Sequence, residues 1–172
     1  MLTHLFVPFQ TAGASLVYFD FFNASPLKVE LLSCIPVVSG ASAVSGVVSV
    51  DLFLTRTTAI GTGGTAATMG GTSLTAATFT PHNWEGNLDS NITARFTPTG
   101  GATAGAVISW QSVFTEETNA GAYAKVRDMV RMDYPDVPPI PIKTGTGFRV
   151  VQGGTASVGT VGFNVLFRAL LR

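Results

Sequence analysis

Residues 158–171 alternate with a period of two: Val161, Phe163, Val165, Phe167, Ala169 and Leu171 fall in one phase. Successive strand side chains point to opposite faces, so this spacing puts all six on one side of a strand, and no helix gathers them. The other phase holds Gly162, Asn164, Leu166, Arg168 and Leu170, so the end of the chain carries apolar groups on both faces. A strand of that kind needs a second layer beneath it and a covering for its outer side.

The same period recurs upstream. Residues 16–22, LVYFDFF, are aromatic and β-branched, and Val17, Phe19 and Phe21 share a face with Asp20 opposite. In residues 27–32, Leu27, Val29 and Leu31 alternate with Lys28 and Glu30, and Pro36 is expected to end the strand. Residues 47–57 set Val48, Val50, Leu52 and Leu54 against Ser49, Asp51 and Thr55, with Phe53 out of pattern. Residues 91–97 alternate Ile92, Ala94 and Phe96 with Thr93 and Arg95. Residues 105–115 read as a strand with Ile108 and Trp110 on one face, Val107 and Val113 on the other, and Trp110 in the core. Residues 148–152 read as a further short strand. Residues 122–134 fit either period, and the strand reading is preferred.

The connections are made of small and turn-forming residues. Residues 39–46, SGASAVSG, join two strands, and residues 58–80 are mostly Gly, Thr and Ala with no charge, which predicts a long loop whose Thr-rich part, 73–80, can pair as an edge. The prolines of PDVPPIP, residues 135–141, predict an extended polyproline-like connector without ladder pairing. These features predict one all-β domain over residues 1–172: an antiparallel β-sandwich or jelly roll of about eight strands with long Gly/Thr-rich loops.

Composition excludes several functions. Ten basic residues balance ten acidic ones and charged residues are 12% of the chain, so no field draws it to nucleic acid or an anionic membrane. Residues 1–10 lack a basic n-region and the following apolar run is broken by Asp20, which predicts neither a signal peptide nor a membrane span and places synthesis in a cytoplasm. The single cysteine, Cys34, lies in an apolar run and reads as a small core residue rather than a reactive thiol.

Chemistry is hard to find in the chain. His4 and His82 have no second His or Cys at metal-ligand spacing; His82 with Glu85 and Asp89 is the one candidate cation cluster, and a polar loop packed on Trp84 is the plainer reading. The Gly61-x-Gly63-Gly64 run lacks the helix of a dinucleotide site, and the Lys143–Arg149 stretch lacks the end of a phosphate loop, so Gly145 and Gly147 read as a hairpin turn. No Gly-x-Ser-x-Gly occurs, and the carboxylates Glu116 with Glu117 and Asp133 with Asp136 read as solvated surface. The expectation is a non-enzyme with no catalytic residues, no cofactor and no metal.

Binding residues are easier to name. The N-terminal 1–12 and C-terminal 166–172 segments read as interaction arms, together with the proline connector, because each combines apolar side chains with a peripheral place in the chain. The interface candidates are Leu2, Leu5, Phe6, Phe9, Val137, Pro138, Ile140, Leu166, Leu170 and Leu171. A separate candidate, a sugar-stacking surface, draws on the aromatics Trp84, Tyr123 and Tyr134.

Three passages, TAIGTGGTAAT, then NITARFTPTGGATAGAVISW, then TGTGFRVVQGGTASVGTVGFNVLF, give the chain a style that resembles small β-rich structural proteins encoded among phage and prophage morphogenesis genes. The insertion at residues 81–90 departs from that pattern. The resemblance implies a jelly-roll protein of the virion, foremost a capsid decoration or cement protein contacting the major capsid protein and copies of itself. A tail, baseplate or head-tail component is the alternative it leaves open, and a carbohydrate-binding β-sandwich module is the alternative from another class.

Overall fold

The computed structural model describes residues 2–38, 48–67, 82–83, 89–101, 104–115, 129–131, 138–155 and 159–170. Among them there is no helix, and the strands run β1 (Leu2–Thr11), β2 (Val17–Asn23), β3 (Lys28–Val38), β4 (Val48–Thr57), β5 (Thr65–Ala66), β6 (His82–Asn83), β7 (Ile92–Phe96), β8 (Ala104–Thr115), β9 (Val130–Arg131), β10 (Ile140–Ile142), β11 (Thr146–Gln152) and β12 (Thr160–Leu170). They form two antiparallel sheets packed face to face as a β-sandwich. Sheet A has the order β10-β3-β12-β1-β6, with β9 also on β3, and sheet B the order β5-β7-β2-β11-β4-β8.

The pairing is that of a long hairpin rolled across two layers. β1 pairs with β12, β2 with β11, β3 with β10, and β4 with β8, so partners approach from the two ends of the chain towards its middle. The chain passes from one sheet to the other between most successive long strands, which is the jelly-roll pattern. β5 and β7 form an excursion that extends sheet B beyond β2.

The inward phase read from residues 158–171 is the floor of the core: Val161, Phe163, Val165, Phe167 and Ala169 are all buried. Phe163 meets Tyr18 edge-on at 5.2 Å and Phe19 at 5.5 Å, and Phe167 meets Phe21 at 4.8 Å, so β12 of one sheet is locked onto β2 of the other. Phe148 stacks on Phe21 at 5.0 Å from the neighbouring strand. Three polar side chains in this interior, Tyr18, Gln152 and Asn23, are hydrogen-bonded. Tyr18 donates its hydroxyl to Gln152 Oε1 at 2.8 Å, and burial pushes its phenol well above the ordinary range. Asn23 donates from Nδ2 to the carbonyls of Leu27 and Ile142 and accepts at Oδ1 from the backbone and hydroxyl of Ser25, tying the β2–β3 turn to β10. Cys34 is fully buried, and desolvation holds its thiol protonated.

Several sequence-based expectations are corrected. The described part of the expected N-terminal arm is not an arm: Leu2–Thr11 is a strand paired with β12 on both sides of a register shift between Val7 and Gln10, and Leu5 points into the core. The last residues described, up to Leu170, are likewise held inside the sheet between β1 and β3. Pro36 does not end β3, which continues to Val38, and Ile140–Ile142 pairs with β3 despite Pro141. β10 is an edge strand, where Pro141 can turn its missing N–H away from the ladder. Gly145 turns the chain between sheets instead of closing a hairpin, since β10 and β11 lie in different layers. Trp110 is not in the core; it is 58% exposed. A register shift between Leu54 and Thr55 pairs Leu54 with Ser109 and Thr55 with Val107, leaving Ile108 as an extra residue that inverts the phase and sends Trp110 outward beside Phe53. Residues 122–128, 73–80 and 135–137 lie outside the described residues.

Phe163→Ala removes the ring that joins both sheets. It is expected to lower unfolding free energy by about 3–5 kcal/mol, read as a shift in the urea midpoint.

Candidate interaction surfaces

The outer phase of β1 and β12 brings half of the sequence-predicted contact residues onto one face of sheet A. Leu2 lies opposite Arg168, His4 opposite Leu166, and Phe6 opposite Asn164 on one side; on the other side of β12, Leu166 faces Ser33 and Asn164 faces Ile35. Phe6 and Phe9 meet edge-on at 5.7 Å. Phe9 is 42% exposed and lies across β12 at Gly162, where a Cβ would come within 3.2 Å of its ring and 2.8 Å of the Val7 carbonyl. Glycine at this position lets the aromatic ring lie flat over the strand.

One end of the face is charged. Glu30 is almost fully buried and is held between Lys28 Nζ and Arg168 Nε, each at 2.6 Å. Burial alone raises its carboxyl pKa, but the hydrogen bonds and charges of Lys28 and Arg168 outweigh that and hold it below the usual carboxylate range.

The predicted residues therefore separate into groups. Leu2, Phe6, Leu166 and Leu170 are half-buried on the outer face of sheet A, and Phe9 is exposed there. Leu5 is core, and Ile140 packs against the core from the β10 edge, with Pro138 exposed before it. Val137 and Leu171 lie outside the described residues.

The outer face of sheet B has two halves that sequence reading missed. In the first, Arg95, Asp20 and Arg149 are neighbours in one row across β7, β2 and β11. The loop after β4 folds over this row, and Gly61 N donates to Asp20 Oδ2 at 2.8 Å while Arg95 Nη1 donates to the Gly63 carbonyl at 2.7 Å. Only glycine fits at residue 61, because a Cβ would lie 2.3 Å from Asp20 Oδ2 and 2.9 Å from the Gly100 carbonyl. Asp20 is fully buried and its Oδ1 has no hydrogen-bond partner. Desolvation raises its pKa, and the Gly61 hydrogen bond and the Arg149 charge offset this in part. The signal for this site was the single charge inside LVYFDFF.

The second half is apolar and open. Val17, Val151, Phe53 and Trp110 form a row across β2, β11, β4 and β8. Phe53 and Trp110 lie with centroids 6.4 Å apart and planes inclined at 35°, and Val107 beside them is 55% exposed. The next row carries a hydrogen bond from the Ser112 hydroxyl to Asp51 Oδ1.

An open cleft of about 440 Å³ lies between the start of β3 and β10, lined by Leu27, Lys28, Pro141, Ile142, Lys143 and Thr144. Its described lining residues include no carboxylate, imidazole or thiol. Among the described residues no group of three His, Cys, Asp or Glu side chains is placed to hold a metal ion; Asp89 caps Asn91 instead, and Glu85 lies outside them. No protein-family model, curated protein or solved structure matches the chain.

The two buried carboxylates predict opposite pH responses. Glu30 has a depressed folded-state pKa, so its contribution is present above its unfolded pKa of about 4.3 and is lost as pH falls through the folded value; in Glu30→Gln that acid-side loss is absent and neutral-pH stability drops by about 1–3 kcal/mol. Asp20 has a raised pKa, so its contribution is full below about 3.9 and declines as pH rises through the folded value; Asp20→Asn removes that decline. Thermal melts from acid to neutral pH check both signs.

Proposed function

We propose that the protein is a non-enzymatic structural subunit of a larger assembly, and that this assembly is a phage particle in which the chain decorates or cements the capsid shell. The observation that carries the subunit reading is the presence of apolar side chains on both outer faces of the sandwich: Leu2, Phe6, Phe9 and Leu166 on sheet A, and Phe53, Val107 and Trp110 on sheet B. A monomer needs neither surface, and a particle component needs more than one contact. Zero net charge removes repulsion between copies. The phage setting, with the major capsid protein or other virion proteins as partners, rests on the sequence resemblance of the Gly/Thr loop and the closing strands. A tail or baseplate position uses the same surfaces.

A sugar-binding reading is favoured by one observation. Phe53 and Trp110 form an exposed aromatic platform with Asp51 and Ser112 in the adjacent row, a combination of stacking surface and hydrogen-bonding groups. The aromatics first considered for this role, Trp84, Tyr123 and Tyr134, lie outside the described residues.

Light scattering behind a sizing column, over a concentration series, tests the subunit reading. Species at multiples of 17.9 kDa are expected, and a monomer at every concentration overturns it. Calorimetric titration with neutral glucan oligosaccharides separates the alternative: heat that saturates and disappears in Trp110→Ala supports sugar binding, and no heat at millimolar ligand removes it.

A further inference from the structure

We propose that the cleft between the start of β3 and β10 binds a small amphiphilic anion, a carboxylate carried on an apolar chain, whether or not the protein assembles. Leu27, Lys28 and Val29 form one wall and Pro141, Ile142, Lys143 and Thr144 the other, around about 440 Å³. That volume is of the size of small-molecule sites, which are mostly apolar with a few placed polar groups.

The β3–β10 register sets two cations against each other. Pro141 pairs with Glu30 and Ile142 with Val29, so the next step of the same antiparallel register brings Lys143 across from Lys28, where the ladder ends. Like charges in that relation are destabilising. Lys28 Nζ reaches Glu30 Oε1 at 2.6 Å, but Arg168 Nε holds the other oxygen of the same carboxylate at 2.6 Å, so one negative charge answers two positive ones. Lys143 is exposed, and among the described residues no carboxylate pairs with it. Arg56 adds a further cation beside the cleft, donating from Nη1 to the Pro141 carbonyl at 3.2 Å. These contacts gather four cations around the single carboxylate of Glu30, in a chain whose ten basic and ten acidic residues balance. An anion between Lys28 and Lys143 relieves that local excess.

The walls are fixed in advance. Asn23 Nδ2 donates to the Leu27 carbonyl at 3.2 Å and to the Ile142 carbonyl at 3.0 Å, which clamps one wall to the other. The Thr144 hydroxyl donates to the Ser25 carbonyl at 2.8 Å and Gly145 N to the Asn23 carbonyl at 2.7 Å, so the turn after β10 is tied to the turn before β3. Val29 and Ile142 are almost wholly buried, and Leu27 packs against the core. Binding therefore requires little ordering of the protein.

Head and chain are selected together. An inorganic anion leaves the apolar wall wet, and an uncharged chain leaves the two lysines unneutralised. Zero net charge gives the protein no general attraction to an anionic bilayer, so the ligand is a free amphiphile in solution.

Titration calorimetry with sodium octanoate, below its micelle concentration and at low salt, tests the site. Saturable binding of one octanoate per chain is expected. Lys143→Gln changes an exposed side chain, so the fold is retained, and it is expected to weaken binding by about tenfold. Octan-1-ol keeps the chain and loses the charge, and is expected to bind about tenfold more weakly than octanoate. Shortening the carboxylate is expected to cost up to about fourfold per methylene. Amide NMR shifts on octanoate addition are expected at Val29, Ile142 and Lys143. The proposal is overturned by no saturable binding, by octanol bound as tightly as octanoate, by affinity unchanged in Lys143→Gln, or by shifts confined to other surfaces. Binding to anionic lipid vesicles without binding to free octanoate overturns it as well. None of these outcomes depends on oligomeric state, so the ligand site and the subunit reading fail separately.

Discussion

The contact of Phe163 and Phe167 with Tyr18, Phe19 and Phe21 is what joins the two sheets. It joins the central strand of sheet A to an inner strand of sheet B; β1 and β3 are placed by pairing with β12, β7 and β11 by pairing with β2, and β4 follows on β11 and β8 on β4. The chain delivers these partners from opposite ends, since β2 begins at Val17 and β12 ends at Leu170. Sheet A therefore cannot close until its last strand enters between β1 and β3. Loop-closure entropy is spent before the aromatic contacts form, which is the condition for slow, topology-limited folding.

The buried polar groups follow the same geometry. Gln152, Asn23 and Asp20 each sit where a strand leaves a sheet or a loop returns over it, and each binds backbone groups that the ladders leave free. Asp20 differs in that one carboxylate oxygen has no partner, so holding the Gly61 loop down carries a desolvation penalty. Glu30 is the converse case, a buried carboxylate with a cation at each oxygen. The two show that a loop and a sheet face are fixed in this protein by electrostatics as well as by apolar packing.

Fold class was legible because alternation reports directly on strands: Phe163 to Ala169, Val50 to Leu54 and Ile92 to Phe96 face the core as their spacing requires. What alternation does not report is which strands pair, so Leu2–Thr11 read as an arm when its partner lay at the far end of the chain. Prolines misled in the same way. Pro36 and Pro141 sit within paired strands because their register and edge positions spare the missing N–H, and neither property is local. Leu2, Phe6, Leu166 and Leu170 were singled out as apolar residues of peripheral segments and lie half-buried on the outer face of sheet A, whereas Leu5, singled out with them, takes the inward phase.

Trp110 shows the limit most clearly. With strict alternation from the Thr55–Val107 pair it would share a face with Ile108, as the sequence suggests, and lie opposite Leu52. The interior at that level is already filled by Leu52, Leu54 and Val113, and an indole added there would overpack it. The extra residue at Ile108 resolves the conflict: it places the small Ser109 against Leu54, frees its hydroxyl for Met129, and turns the indole outward beside Phe53. The bulge thus keeps the core small and leaves Trp110 and Val107 exposed on one strand.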